Sequence, residues 1–196
     1  DVQLFLDHRG DKYVLFGGSD IDTNLDLGKT NLDTIKNNRL QNILVLSKKT
    51  KQNLKKYEIN STFFDMNLVD QSIFYPRKQK NISNKVYIYD DQYRLPRPND
   101  YGGQYFGIIK KRLPQFQYIF SSSVNIPYQL MGDLYNKVFI IIRLTRNDGN
   151  ANTVQEAESM GIPAVHNISD YGLKWKSINN VINHIKDAYD NQFLEK

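Results

Sequence analysis

Hydrophobic positions fall in short runs separated by polar, turn-forming stretches. Val2–Leu6 (VQLFL), Tyr13–Phe16 (YVLF), Ile43–Leu46, Thr62–Phe64, Val86–Tyr89, Tyr118–Ser121, Val138–Ile142 and Ala164–Val165 are rich in β-branched and aromatic residues and read as strands. Val138–Ile142 (VFIII) has the length of a buried parallel strand and is far too short to span a membrane. Between the strands the apolar spacing changes to that of helices. Asn31–Leu40 turns Leu32, Ile35 and Leu40 inward, and Ser47 caps a lysine-rich helix running to about Tyr57. Further helices are expected up to Arg112, over Tyr128–Tyr135 and from about Thr153 to Met160. A terminal helix carries Ile178, Val181, Ile182, Ile185, Ala188 and Tyr189 on one face. Strands alternating with helices predict an α/β fold built on a Rossmann-type, doubly wound parallel sheet.

The most informative stretch is Arg143–Asn167, RLTRNDGNANTVQEAESMGIPAVHN. Asp148-Gly149-Asn150 is turn chemistry. Asn152 reads as a helix N-cap with Gln155 completing a capping box, Gly161 ends the helix in a left-handed conformation, and Pro163 prevents its resumption. The loop therefore follows a strand at its carboxyl end, where such sheets bind ligands. Backbone N–H groups at Thr153 and Val154 would face out of the helix N-terminus and suit a diphosphate. Asp148 and Glu156 flank that anion site, and carboxylates there are better placed to accept hydrogen bonds from hydroxyls than to face phosphate. A nucleotide-sugar has this order of groups: sugar, diphosphate, ribose. Strands, capped helices and Gly-x-Pro turns occur in any α/β protein, however, and Glu156 also fits an ordinary solvated helix position.

The same stretch resembles the C-terminal domain of retaining glycosyltransferases of the two-domain GT-B type (glycosyl transferases group 1, family 4-like), whose signature is an acidic residue, seven intervening residues and then Glu. Asp148 and Glu156 match that spacing, and Arg143-x-Thr145-x-x-Asp148-Gly149 ahead of Glu156-Ala157 and Met160-Gly161-x-Pro163 resembles one branch of the family. The resemblance implies that Asp148 binds donor-sugar hydroxyls and Glu156 binds ribose. It also implies that the amides of Gly149, Asn150, Ala151, Asn152, Thr153 and Val154 bind diphosphate. Gly149-Asn150-Ala151 stands where the family more usually has an aromatic-Gly pair. Arg143 and Arg146 flank the loop and could assist with phosphate charge; Arg143 turned into the sheet would instead be a partner for Asp148. By region, the resemblance also places Arg94 and Arg97 near the diphosphate and Val124 and Ile126 under the nucleobase. Solvent-facing loop arginines and ordinary packing account equally well for these four.

Elsewhere, Gly17-Gly18-Ser19-Asp20 resembles the His-Gly-x-Asp segment of GT-B N-terminal domains, but Gly17 stands in the histidine's place, and a tight strand-to-helix turn explains the glycine pair. Asn67-Leu68-Val69-Asp70 with Phe74 and Pro76 resembles the segment where such chains leave their first domain. The expected organisation is therefore a partial, acceptor-side N-terminal α/β domain over 1–76, a polar linker over 77–84, and a nucleotide-sugar-binding domain with a terminal crossing helix over 85–196. The first part is shorter than a full GT-B acceptor domain, so the chain, which begins at Asp1, reads as a processed chain or a piece of a longer one.

Composition adds limits. The 196 residues include no cysteine and three scattered histidines, so disulfides and thiolate sites are excluded and no metal or other cofactor is expected. No stretch has the character of a signal peptide or membrane span, so a cytoplasmic protein is expected. Net charge is +5, with clusters at Lys48-Lys49-x-Lys51, Lys55-Lys56 and Lys110-Lys111-Arg112. These fit solvated helix faces first, the alternative being attraction to a phosphorylated ligand, to nucleic acid, or to anionic lipid headgroups that would make the protein peripheral to a membrane. Nucleic acid is not expected as a partner because no recognition motif is present. By resemblance the chain is a hexosyltransferase that moves sugar from a UDP- or GDP-sugar to a hydroxyl of a glycan, lipid-linked or protein acceptor, with retention of configuration. A donor-binding protein without transfer, or a GT-B-fold epimerase using His8 and His166, are the other readings.

Overall fold

The computed structural model describes residues 6–17, 26–64, 69–76, 82–90, 101–145, 151–167 and 171–194, with the backbone alone at 26–27. The chain divides into two compact units, Asp1–Asn67 with Asn147–Asn150, and Leu68–Arg146 with Ala151–Lys196. Each is built on its own parallel sheet.

In the first unit β1 (Tyr13–Phe16), β2 (Asn42–Val45) and β3 (Thr62–Phe63) lie in that order, connected by α1 (Asp26–Asn37) and α2 (Lys48–Lys55). Phe16, Ile43 and Val45 pack with Leu32 and Ile35 of α1, Leu54 of α2 and Ile59. The expected Ser47 cap is present: its hydroxyl accepts from Thr50 N at 3.0 Å and donates to Thr50 Oγ1 at 2.8 Å. Both helices end in the same six-residue hydrogen-bond pattern. Leu40 N bonds Ile35 O and Arg39 N bonds Lys36 O; likewise Ile59 N bonds Leu54 O and Glu58 N bonds Lys55 O. The left-handed residue that this pattern requires is Arg39 (φ 49°) in one helix and Glu58 (φ 61°) in the other. The strand expected over Val2–Leu6 falls mostly outside the described residues, and its last residue, Leu6, is helical.

In the second unit the strand order is β5 (Gln117–Phe120), β4 (Lys85–Ile88), β6 (Ile140–Ile142), β7 (Ala164–Val165), all parallel. The intervening helices are α3 (Gly103–Arg112), α4 (Met131–Tyr135), α5 (Asn152–Ser159) and α6 (Ile178–Asn191). Side-chain alternation divides the core cleanly. Val86, Ile88, Ile140, Ile142 and Val165 face α3 and α6, packing on Ile109, Leu113, Val181, Ile182 and Ile185. Tyr87, Ile141 and Ala164 face α4 and α5, packing on Leu134, Tyr135, Val154, Ala157 and Met160. With both faces covered, every position of β6 is buried, which is why its sequence is an unbroken apolar run. The apolar stripe of the terminal helix is buried as its spacing requires, and the Gln192 side-chain amide closes it against Ser83 with bonds of 2.9 and 3.0 Å. Phe74, expected in the closing segment of the first domain, is fully buried in the second unit's core between the rings of Tyr128 and Tyr135. The helix expected over Tyr128–Tyr135 is a 3₁₀ turn, Tyr128–Leu130, running into a short α-helix.

Candidate functional site

In the second unit, the chain leaves β4 for β5 on one side and returns to β6 on the other. The carboxyl ends of β4 and β6 are thus the point where the connections diverge, and doubly wound sheets bind ligands there. Tyr89 and Arg143 are the first residues beyond those strands, each still held by a sheet-like bond: Tyr89 N to Ile142 O at 2.9 Å and Arg143 N to Val165 O at 3.0 Å. The Arg143 guanidinium lies 4.0 Å from the centre of the Tyr89 ring, a close cation–π contact. Tyr89 in turn packs on Tyr101 with ring centroids 5.6 Å apart. The next residue, Gly102, has φ 78°, and a Cβ there would stand 2.5 Å from Cβ of Leu144. Only glycine lets α3 begin so close to the exit of β6.

Asp90, also beyond β4, fastens the loop after β5. Its Oδ1 accepts from Ser121 Oγ at 2.7 Å and from Ser122 N at 2.8 Å, its Oδ2 accepts from Ser122 Oγ, and its own N–H donates to Ser121 Oγ at 2.9 Å. Two neighbouring connections at this edge are thereby held together.

The helix after β6 brings the remaining groups. Arg143 Nη1 donates to Thr153 Oγ1 at 3.2 Å. One turn further along α5, Glu156 is only 6% exposed, so the solvated reading of this residue does not hold. Tyr135 of α4 donates its phenolic proton to Glu156 Oε2 at 3.2 Å. Burial raises the Glu156 pKa above the ordinary carboxylate value, against the opposing pull of hydrogen bonds from Tyr135 and Tyr128 and of the Arg143 charge. The same burial holds the Tyr135 phenol well above its usual pKa, so it remains a donor.

Other expected features are placed as follows. The capping box of Asn152 and Gln155 is not formed. Asn152 is the first helical residue, Ala151 is the cap with no side-chain bond, and Gln155 is buried in the helix with its N–H on Ala151 O. The N–H of Val154, expected to face an anion, donates instead to Ala151 O at 2.9 Å. Gly161 has φ 69° as expected. Val124 and Ile126 are half-buried against the cluster containing Phe74 and Tyr135. His166 is fully buried, with Nδ1 3.0 Å from the Arg143 carbonyl, and His8 is exposed in the first unit. Arg94, Arg97, Arg146, Asp148, Gly149 and Asn150 lie outside the described residues. Tyr89, Asp90, Tyr128 and Tyr135 were not picked out by sequence reasoning; tyrosines and a loop aspartate carry no spacing signature. Among the described residues no group of three His, Asp or Glu side chains could hold a metal ion, and no helix is long and apolar enough to cross a membrane.

A parallel sheet covered on both faces, with charged and hydroxyl groups gathered at the switch point of its carboxyl edge, defines a Rossmann-type unit. With the smaller α/β unit, the chain has the GT-B-like fold of the solved structures that follow. Among solved structures the chain is similar to TarM, at 11% identity and TM-score 0.68 over 96% of this chain and 48% of that one. It is also similar to a TarM point mutant from S. aureus in complex with fondaparinux, alpha-GlcNAc-glycerol and UDP, at 14% identity and TM-score 0.72 over 96% and 46% of the two chains. The chain thus spans about half the length of these structures, and at such identity the likeness establishes the fold. No protein-family model and no curated protein matches the sequence.

Proposed function

We propose that the chain is a glycosyltransferase that binds a UDP- or GDP-sugar at the carboxyl edge of its second unit and transfers the sugar to an acceptor hydroxyl with retention of configuration. The observation that carries this reading is the pairing of a cation and a buried carboxylate across the first turns of α5, Arg143 on Thr153 and Glu156 under Tyr135, at the switch point of a sheet whose structural relatives include a UDP complex. Glu156 accepts ribose hydroxyls. Arg143, with Arg94, Arg97 and Arg146, stabilises the charge that develops on the departing diphosphate, the main catalytic contribution available where the leaving group is an anion. Asp148 orients the donor sugar. A glycan, lipid-linked or protein hydroxyl is the acceptor.

A second reading keeps the donor site without efficient transfer, and it is favoured by Gly17, which stands where the resemblance leads to a histidine beside the reacting sugar. An epimerase would need acid and base side chains at the donor, and His166 is instead fully buried beside a backbone carbonyl. The test is thermal melting with UDP, GDP and their hexose conjugates, followed by isotope transfer from the best ligand. A ligand at a hundredfold excess over its dissociation constant stabilises the fold by about 2.7 kcal/mol. Absence of any shift with all of these at millimolar concentration refutes the site. Binding with neither transfer nor donor hydrolysis selects the second reading.

A further inference from the structure

We infer that Tyr135 is a positioning residue for Glu156: its buried hydroxyl donates to the carboxylate one turn beyond the Arg143–Thr153 contact, and so holds a ribose-side acceptor in place beside a phosphate-side cation. The inference rests on the donor-site reading above and goes beyond it by naming the groups that set the geometry.

The direction of both bonds is forced. A guanidinium has donors only, so Thr153 Oγ1 accepts from Arg143 Nη1 at 3.2 Å. A carboxylate has acceptors only, so Tyr135 spends its single proton on Glu156 Oε2, also at 3.2 Å.

Tyr135 is suited to this task by its immobility. It is 1% exposed, and its ring is held between Phe74 at 5.7 Å and Tyr87 at 5.5 Å. A glutamate has three side-chain torsions and, without such an anchor, several arrangements open to it. If Tyr135 were only core, a phenylalanine would serve equally well and no hydroxyl would be turned onto the carboxylate of the helix facing it.

A positioning role and a packing role differ in one measurable respect. Positioning Glu156 affects only the part of the affinity that depends on ribose hydroxyls. The experiment is titration of the full chain by calorimetry with UDP and 2′-deoxy-UDP, and with GDP and 2′-deoxy-GDP. It compares wild type and Tyr135→Phe, each first checked for cooperative melting. Wild type is expected to favour the ribose form of its preferred nucleotide by about tenfold. Tyr135→Phe is expected to bring that ratio below about threefold while changing affinity for the deoxy form less than threefold. Should Tyr135→Phe fail to fold in plain buffer, the same titrations are made with a stabilising osmolyte present. A Tyr135→Phe variant that keeps the full ratio, or that loses both nucleotides equally, overturns the positioning role and leaves the donor site standing. A wild type that binds no nucleotide overturns the donor site and this inference with it.

Discussion

Among the described residues, the buried polar side chains of the first unit are Ser47 and Thr50, which bond each other and close a helix end. Those described in the second are Thr145, Thr153, Gln155, Glu156 and His166, all on the segments that leave β6 and β7 at their carboxyl ends or on the helix between them. The apolar faces differ too. The second sheet is covered on both sides, whereas Tyr13 and Leu15 of the first unit's β1 stand 61% and 46% exposed on the face away from Phe16. Burying a carboxylate is costly unless it is hydrogen-bonded, and no element of the second unit needs Glu156 in order to form. The polar groups of the first unit are explained by folding. Glu156 of the second is not, and that difference supports the proposed site.

The largest effect that would test this division is on the core beneath the site. Phe74→Ala removes a fully buried ring that touches both Tyr128 and Tyr135, and should destabilise the second unit by about 3–5 kcal/mol. The chain has one tryptophan, Trp175, packed on the same unit's other core, so the urea transition followed by its fluorescence reports that unit. Phe16→Ala, in an edge strand packed on one face, should cost less by the same measure of folding in far-ultraviolet dichroism. A Phe74→Ala variant whose tryptophan transition is unmoved would show that residues 69–76 do not belong to this core.

A smaller and more specific effect concerns Glu156. Its pKa in the folded state is raised by burial, so the folded protein binds that proton more tightly than the unfolded chain. The resulting stability is fully present below the unfolded glutamate pKa and is lost as pH rises through the folded value. Above that folded value the ionised carboxylate weighs against the fold. Glu156→Gln should raise the melting temperature relative to wild type at pH 8, with the gain shrinking as pH falls to 4. The same variant should bind nucleoside diphosphate about tenfold or more weakly, because a charged acceptor of ribose hydroxyls is gone. Gain in stability with loss of affinity is the pattern of a functional residue. A Glu156→Gln variant equally stable at both pH values relative to wild type would contradict the burial argument.

Much of this was legible in the sequence, for reasons that differ by residue. Ser47, Gly161 and the stripe from Ile178 to Tyr189 act through local geometry, so spacing alone identifies them. The spacing of Glu156 from Asp148 pointed to a ligand carboxylate, and the fold buries Glu156 at the expected edge. The cap at Asn152 was misread because Asn and Gln three apart fit a capping box equally well one residue out of phase, and tertiary packing decided in favour of Ala151 and a buried Gln155. Tyr135 was invisible. Its sequence setting is that of any aromatic in a core helix, and its hydroxyl acquires a role only when α4 is laid against α5.

The smallest effect returns to the contrast between the units through the way their helices end. Helix α5 closes with the same hydrogen-bond pattern as α1 and α2: Ile162 N on Ala157 O at 2.8 Å and Gly161 N on Glu158 O at 2.9 Å. Here the left-handed position is glycine, whereas the first unit uses Arg39 and Glu58. A side chain in that conformation costs roughly 1–2 kcal/mol, and glycine offsets part of this by a greater loss of freedom on folding, roughly 0.5–1 kcal/mol. Arg39→Gly and Glu58→Gly should therefore each stabilise the first unit by a few tenths to about 1 kcal/mol. Gly161→Ala should destabilise the second by about 1 kcal/mol, all of it from the backbone, since a Cβ there meets no atom within 4 Å. Opposite signs for the same kind of position, read as shifts in urea midpoint at unchanged slope, are the expected result. Destabilisation by Arg39→Gly or Glu58→Gly would mean that these side chains contribute contacts worth more than the strain they carry.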